Sequence, residues 1–482
     1  MSEMATVRNE TVRSEPAPAL RELLARQRAA FRHATPDYDR RMASLKLLEA
    51  AVIDRQREIV EAVNADFGGR ARQETLALEL APLIDAIRHT RRHLAEWMNP
   101  RRVSAGINFF PATARIVYQP LGVIGIIGAW NYPIFLVLSP LVDAIAAGNH
   151  ALLKPSELAP ASAALLQKII ADAFPEEYIA VVTGDAKVAA EFAALPFDHL
   201  LFTGSTRVGK LVMRAASENL TPVTLELGGK CPAIIHPEFP LAMAVERILT
   251  GKLYNAGQTC LAPDYVSVHE SQEQEFVKVA GEVVRRLYPK WAGNPDYSRI
   301  INAPHYERLS NCVKDAAARG AKVISLGEKA EGCNAENRVF PPVILQDVND
   351  GMLAMQEEIF GPILPVMTFR KISEALGYVN NRERPLALYY FDHDARRVEH
   401  VLQITVSGGV TINDVIYHIA QNNLPFGGVG ASGMGHYHGK TGFETFSKKK
   451  GVLMQSRWSS LTFLRPPYGP LSERVIRFLL RK

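Results

Sequence analysis

At 482 residues the chain exceeds what one hydrophobic core sustains, so two or three domains are expected. Its 47% hydrophobic and 22% charged residues are those of an ordinary globular protein, and 55 basic against 50 acidic side chains (net +5) argue against a nucleic-acid surface. The four cysteines, Cys231, Cys260, Cys312 and Cys333, lie far apart without CxxC spacing, which argues against a disulfide framework and a zinc site.

Residues 1–18, MSEMATVRNETVRSEPAP, have no apolar stretch and carry three Glu. They do not read as a secretory leader, and a cytoplasmic location is expected. Residues 40–64 show helical spacing through Leu45, Leu48, Ala51, Val52, Ile59 and Val63, as do residues 74–97. Within 103–122, ARIVYQP alternates as a strand does. Residues 121–142, LGVIGIIGAWNYPIFLVLSPLV, are long and apolar enough to suggest a membrane span. However, Gly122, Gly125, Gly128, Asn131, Pro133 and Pro140 punctuate them into a buried strand (123–127), a loop (128–133) and a helix (134–147). Further strands are expected at 150–153, 179–182, 199–202 and 223–227, with a helix at 160–173 whose Pro160 suits a first turn. This alternation predicts an α/β fold with a doubly wound parallel sheet, in which ligands bind beyond the carboxyl ends of the strands. Asn131, Lys154, Glu157, Gly204, Ser205 and Glu226 fall at or near such ends.

The literal GxGxxG at residues 428–433, GVGASG, follows LPFG and precedes MGHYHGK, so it lacks the strand and helix that a dinucleotide fingerprint needs. LLFTGSTRVGK, at 200–210, is the better candidate. A strand runs into Gly204-Ser205-Thr206, and Gly209 falls in the helix that follows. Free N–H groups and a hydroxyl there suit a pyrophosphate, although a plain capped helix looks the same. In KPSE, Glu157 can accept from ribose hydroxyls beside Lys154. Equally, Glu157 can simply precede the next helix, where the dipole favours it. Cys260, in YNAGQTCLAP, is a nucleophile only as thiolate and needs a base or a lowered pKa. Glu226, in TLELGGK, is a carboxylate at an apolar strand end, costly to bury without purpose. Asn131 offers an amide to an oxyanion. Together these suggest oxidation through a covalent thioester.

Seven collinear stretches, GAWNYP, LLKPSEL, FTGSTRVGK, LELGGK, NAGQTC, EEIFGP and LPFGGVGASGMGHYHGKTGFETFS, resemble the motifs of the NAD(P)-dependent aldehyde dehydrogenase superfamily, from about residue 40 to 468. WNYP, YHGK at 437–440 and LRPPYG at 464–469 resemble class 3 enzymes. TINDVIYHIAQNNLPFGGVG is most similar to the bacterial coniferyl aldehyde dehydrogenases. The resemblance implies Cys260 as nucleophile, with Asn131 and the Cys260 N–H as oxyanion donors and Glu226 as the base that activates the hydrolytic water. Lys154 and Glu157 would meet the adenosine ribose, Gly204, Ser205 and Gly209 the pyrophosphate turn, and Glu358 and Phe360 the nicotinamide ribose and ring. NAD is the implied cofactor, with NADP tolerated. Relatives that acylate coenzyme A need no water-activating base, so Glu226 favours release of the free acid. The implied substrate is coniferyl aldehyde or a related aromatic aldehyde. Fatty aldehydes are the alternative within the family; a cysteine hydrolase or a catalytically silent relative are the alternatives outside it.

The resemblance also implies a Rossmann-like cofactor domain (residues 1–102 and 123–228), a catalytic α/β domain (229–408) and a return segment (409–441). An oligomerisation element (103–122 and 442–460) would build a homodimer, followed by a tail (461–482). Cys231, Cys312 and Cys333 are expected in the core. His436 and His438, despite their HxH spacing, are expected to hold no metal. Lys448, Lys449 and Lys450 read as a solvated edge, and residues 475–482 as an amphipathic tail too short to span a bilayer.

Overall fold

The structure, a computed structural model, describes residues 17–327, 333–459, 462 and 465–480. The N-terminal segment through residue 16, Leu464 of the LRPPYG stretch and the last two residues of the tail lie outside the described residues.

The fold is α/β, as expected. One sheet has six strands in the order β15-β7-β6-β3-β4-β5: β3 (Val123–Ile127), β4 (His150–Lys154), β5 (Ile179–Val181), β6 (His199–Gly204), β7 (Val223–Leu227) and β15 (Gly433–Met434). All neighbours are parallel except β15, which runs antiparallel to β7 and sets Gly433 opposite Glu226. The central strand β3, VIGII, is buried at every position, which is why it shows no polar alternation.

The second sheet has seven strands in the order β10-β11-β12-β9-β8-β13-β14: β8 (Pro232–Ile235), β9 (Tyr265–His269), β10 (Lys322–Ser325), β11 (Val343–Gln346), β12 (Ile363–Phe369), β13 (Ala387–Phe391) and β14 (Gly409–Ile412). Only β10 is antiparallel to its neighbour. A third, three-stranded antiparallel sheet joins β1 (Arg101–Val103), β2 (Thr113–Pro120) and β16 (Ser447–Met454), with Lys448, Lys449 and Lys450 exposed on the last.

Residues 121–142 divide as their glycines and prolines demand, into β3, a loop and the helix Phe135–Ala147, which is buried on every side. Among the described residues no helix is long and apolar enough to cross a membrane.

Two expected helices are broken. The helix expected over 40–64 is two, Tyr38–Asp54 and Gln56–Phe67, divided at Arg55, whose φ/ψ of −105°/17° leave the helical region. The helix expected over 74–97 contains a π-helical turn at Leu76–Leu80 before Ala81–Met98. Pro82 explains it, because the missing N–H cannot continue α-helical bonding through that turn. The wide turn carries Glu79 into the interior, where its carboxylate accepts from Ile134 N (2.9 Å) and Phe135 N (3.1 Å) and caps the buried helix.

Candidate active site

Asn131 leaves β3 in the loop at its carboxyl end and is buried. Its backbone carbonyl accepts from Arg70 Nη1 (2.7 Å) and Asn255 Nδ2 (3.0 Å), while its own Nδ2 donates to the carbonyl of Gln258 at 3.1 Å. One amide hydrogen is thereby held, and the second remains for a ligand. The next residue, Tyr132, shares a 2.7 Å hydrogen bond with Thr259, the neighbour of Cys260. Loop and thiol turn are thus locked together on both sides.

The thiol turn is unusual in its backbone. Asn255, Ala256 and Gly257 are all left-handed, with φ of 52°, 51° and 77°. A Cβ on Gly257 would collide with the Gly361 carbonyl, so only glycine lets this turn lie against the EEIFGP loop. Glu74 holds the strained start, accepting from Asn255 N (3.0 Å) and Ser298 Oγ (2.8 Å). Gln258 ties the turn down through Asn255 O (2.9 Å), Arg299 O (3.0 Å) and Ile301 N (2.9 Å). Beneath them lies Arg70, fully buried, 3.9 Å from Glu74 and 3.7 Å from Glu79, with its guanidinium over the Tyr132 ring.

Cys260 is half-buried, and burial, then the charges of Glu358 and Glu226, push its thiol up to about 12. Glu226, on β7, is buried with neither carboxylate oxygen hydrogen-bonded, and burial raises its pKa well above the carboxylate range. Glu358 lies over Gly228 and accepts from the Gly229 N–H; burial and then Asp264 bring it to about 8. Cys260 therefore lies within electrostatic reach of two carboxyl groups of high proton affinity, and the Asn131 amide is tied to the turn that carries it. Such a cluster marks a site of proton transfer and nucleophilic chemistry.

At the end of β4, Lys154 and Glu157 sit 3.8 Å apart, and the buried Lys154 ammonium donates to Pro155 O at 2.8 Å. Ser205 caps the helix Thr206–Ser217, accepting from Val208 N at 3.4 Å, and Gly204 ends β6. A Cβ on Gly204 would stand 2.5 Å from the Phe202 ring, so the strand end is shaped for close approach. Open N–H groups at this helix start, an exposed carboxylate and a lysine suit a dinucleotide. Gly209 lies away from that opening. It is buried one turn into the helix, and a Cβ there would meet Leu227 at 2.6 Å, so its part is to seat the helix on β7. Phe360, at φ 50°, places its ring 5.3 Å from that of Trp130.

Sequence reasoning left out Arg70, in the loop ahead of the helix, and Glu74 and Glu79, charges within its otherwise apolar first turns. It also left out Lys230 and Asp264. Lys230 pairs with Asp264 and donates to Ala354 O (2.8 Å) and Glu357 O (3.0 Å), while Asp264 accepts from Ile359 N (2.9 Å). This pair fixes the loop that presents Glu358 and Phe360.

GVGASG proves to be a turn packed along the first sheet: Ser432 O accepts from Leu227 N (3.1 Å) and Ala431 O from Thr206 Oγ1 (3.1 Å). Cys231 and Cys312 are buried and Cys333 is half-buried against the core; the Cys231 thiol donates to Cys260 O at 3.4 Å. His438 is buried and stacked on Phe426, whereas His436 is exposed. Among the described residues no three His, Cys, Asp or Glu side chains are gathered as metal ligands.

The sequence profile described as "Aldehyde dehydrogenase family" matches residues 10–452. The chain is 49% identical over 458 residues to the "Probable coniferyl aldehyde dehydrogenase" of Pseudomonas aeruginosa, covering 95% of each chain. It is 47% identical over 443 residues to the "Coniferyl aldehyde dehydrogenase" of a Pseudomonas species, covering 91% of this chain and 92% of that one. Among solved structures, the substrate-bound AldH of Staphylococcus aureus superposes with a TM-score of 0.90 at 38% identity, covering 95% of this chain and 99% of that one.

Proposed function

Since the chain belongs to the aldehyde dehydrogenase family, we propose that it oxidises coniferyl aldehyde or a related aromatic aldehyde to the free acid, with NAD favoured over NADP. Cys260 Sγ, as the thiolate left when its proton passes to solvent, attacks the carbonyl carbon, and the oxygen gains negative charge as the thiohemiacetal forms. The free amide hydrogen of Asn131 and the Cys260 N–H receive that charge. Lys154, Glu157, the Gly204-Ser205 turn, Glu358 and Phe360 would hold NAD(P)+, which would supply an acceptor for the hydride that leaves the thiohemiacetal carbon. Glu226 then takes a proton from water, whose oxygen attacks the thioester; the acid leaves, and the proton on Glu226 passes to the departing thiolate to restore the Cys260 thiol.

Burial suits Glu226 to this task, because a carboxylate with raised proton affinity is a stronger base than an exposed one. The observation that carries the reading is the Asn131 amide. It is fixed at 3.1 Å on the carbonyl of Gln258, two residues before Cys260, with its second hydrogen uncommitted. The six-stranded sheet is read as the cofactor unit, the seven-stranded sheet as the catalytic unit and the β1-β2-β16 sheet as the pairing element of a cytoplasmic homodimer. The names of the Pseudomonas relatives support the coniferyl substrate.

The test is NADH and NADPH formation with coniferaldehyde, benzaldehyde, hexanal and dodecanal. Highest kcat/KM for coniferaldehyde with NAD is expected. Preference for dodecanal would overturn the aromatic assignment, and no reduction with any aldehyde would overturn the activity.

A further inference from the structure

A pocket of about 380 Å³ lies between the helix Leu241–Leu253 and residues 414–417, and none of its lining residues belongs to the candidate cofactor set. Tyr254, which ends the helix and begins the turn carrying Cys260, forms one side; Tyr417 forms the other. Tyr254 begins the turn that runs to Thr259 and Cys260, and Thr259 is bonded to Tyr132 of the Asn131 loop. The pocket therefore shares a wall with the turn that holds the thiol.

Its polar groups are mostly committed. Arg247 donates to the Asn413 carbonyl, Glu246 pairs with Arg286 at 3.0 Å, Thr250 donates to Glu246 O at 2.8 Å, and Asp414 accepts from Val415 N at 2.8 Å. The hydroxyls of Tyr254 and Tyr417 meet each other at 3.2 Å. A phenol both donates and accepts, so this pair still has one O–H and several lone pairs to offer. The arrangement is held in place: a side chain on Gly251 would overlap Val415 and stand 3.0 Å from Ile416. Ile416 itself sits at φ 65°, a strained backbone for a β-branched residue that turns the chain just before Tyr417.

We propose that this pocket receives the far end of the aldehyde, and that Tyr254 and Tyr417 select an aromatic tail bearing a phenolic oxygen over a purely hydrocarbon one. The inference rests on the reading of Cys260 as the nucleophile of an aromatic aldehyde dehydrogenase. Met243 and Val415 offer apolar contact to the ring, and the tyrosine pair exchanges its mutual hydrogen bond for bonds to the substrate hydroxyl.

The experiment compares kcat/KM for 4-hydroxycinnamaldehyde and cinnamaldehyde, which differ by that hydroxyl alone, in the wild type, Tyr254→Phe and Tyr417→Phe. The wild type should favour the hydroxylated aldehyde by about tenfold, the worth of one partly exposed hydrogen bond, and each variant should bring the ratio towards one. As a ratio within one preparation, the readout is unaffected by any misfolded fraction, and Tyr417 lies half in solvent. A wild-type ratio of one or less, or a ratio unchanged in both variants, overturns the proposal. If both aromatic aldehydes still outrun hexanal in that case, the proposed function stands without it. If hexanal outruns both, the aromatic reading itself falls.

Discussion

The guanidinium of Arg70 donates to the backbone carbonyl of Asn131 at 2.7 Å from a fully buried position. Two carboxylates, Glu74 and Glu79, face it. Removing it leaves both carboxylates without their counter-charge. Arg70→Met should therefore lower stability by about 3–5 kcal/mol in urea unfolding. Arg70→Lys keeps the charge but loses the planar fork. It should fold, with kcat down about tenfold or more and cofactor affinity retained. Equal loss in kcat and in cofactor binding would make Arg70 a general stabiliser only.

The nucleophile assignment predicts that Cys260→Ala abolishes turnover while NAD still binds. Cys231→Ala, Cys312→Ala and Cys333→Ala should each retain most activity. Because burial and two neighbouring carboxyl groups raise the Cys260 pKa to about 12, the unliganded thiol is protonated at neutral pH. Its alkylation rate should climb with pH, nearly tenfold per unit, without levelling between pH 7 and 10. Glu358→Gln removes one of the two carboxylates and should speed alkylation above pH 8. A plateau below pH 8 in the wild type would contradict this environment.

Removing the charge of Glu226 should separate the two halves of the reaction. Glu226→Gln is expected to give a burst of NADH approaching one per site and then a steady rate lower by about 10²–10⁴-fold. Acid-quenched protein should carry the acyl group on Cys260 by mass spectrometry. A lost burst, with Cys260 still alkylating slowly, would assign Glu226 to thiol deprotonation instead. An undiminished steady rate would remove it from the chemistry.

Glu157, partly exposed beside Lys154, should repel a 2′-phosphate that Lys154 partly accommodates. Glu157→Gln should narrow the NAD-over-NADP ratio of kcat/KM. An unchanged ratio would place the ribose elsewhere.

Much of the first sheet was legible because its strands end in residues that apolar sequence does not otherwise tolerate. The strands β3 and β7 occur where expected, and β4 and β6 only extend further, to Lys154 and Gly204. Asn131, Glu226 and Cys260 stood out for the same reason: each breaks an apolar or small-residue run. Arg70, Glu74 and Glu79 did not stand out. Charges at a helix start ordinarily read as solvated, and only tertiary packing and the π-helical turn bring Arg70, Glu74 and Glu79 together in the interior. The left-handed run at Asn255, Ala256 and Gly257 was equally hidden, since alanine carries no local preference for it. The Tyr254–Tyr417 contact joins residues 163 apart and has no sequence signature at all.

The π-helical turn at Leu76–Leu80 makes the site sensitive to chain length as well as to residue identity. Each residue advances an α-helix by about 100°, so excising a single residue from that turn would restore regular winding and swing Glu79 off the N–H groups of Ile134 and Phe135. Every remaining side chain of that helix could be unchanged, yet the buried helix would lose its cap and the Asn131 loop its footing. The segment is accordingly one where a deletion does more damage than most substitutions, although it lies some fifty residues ahead of the first group that would touch the aldehyde.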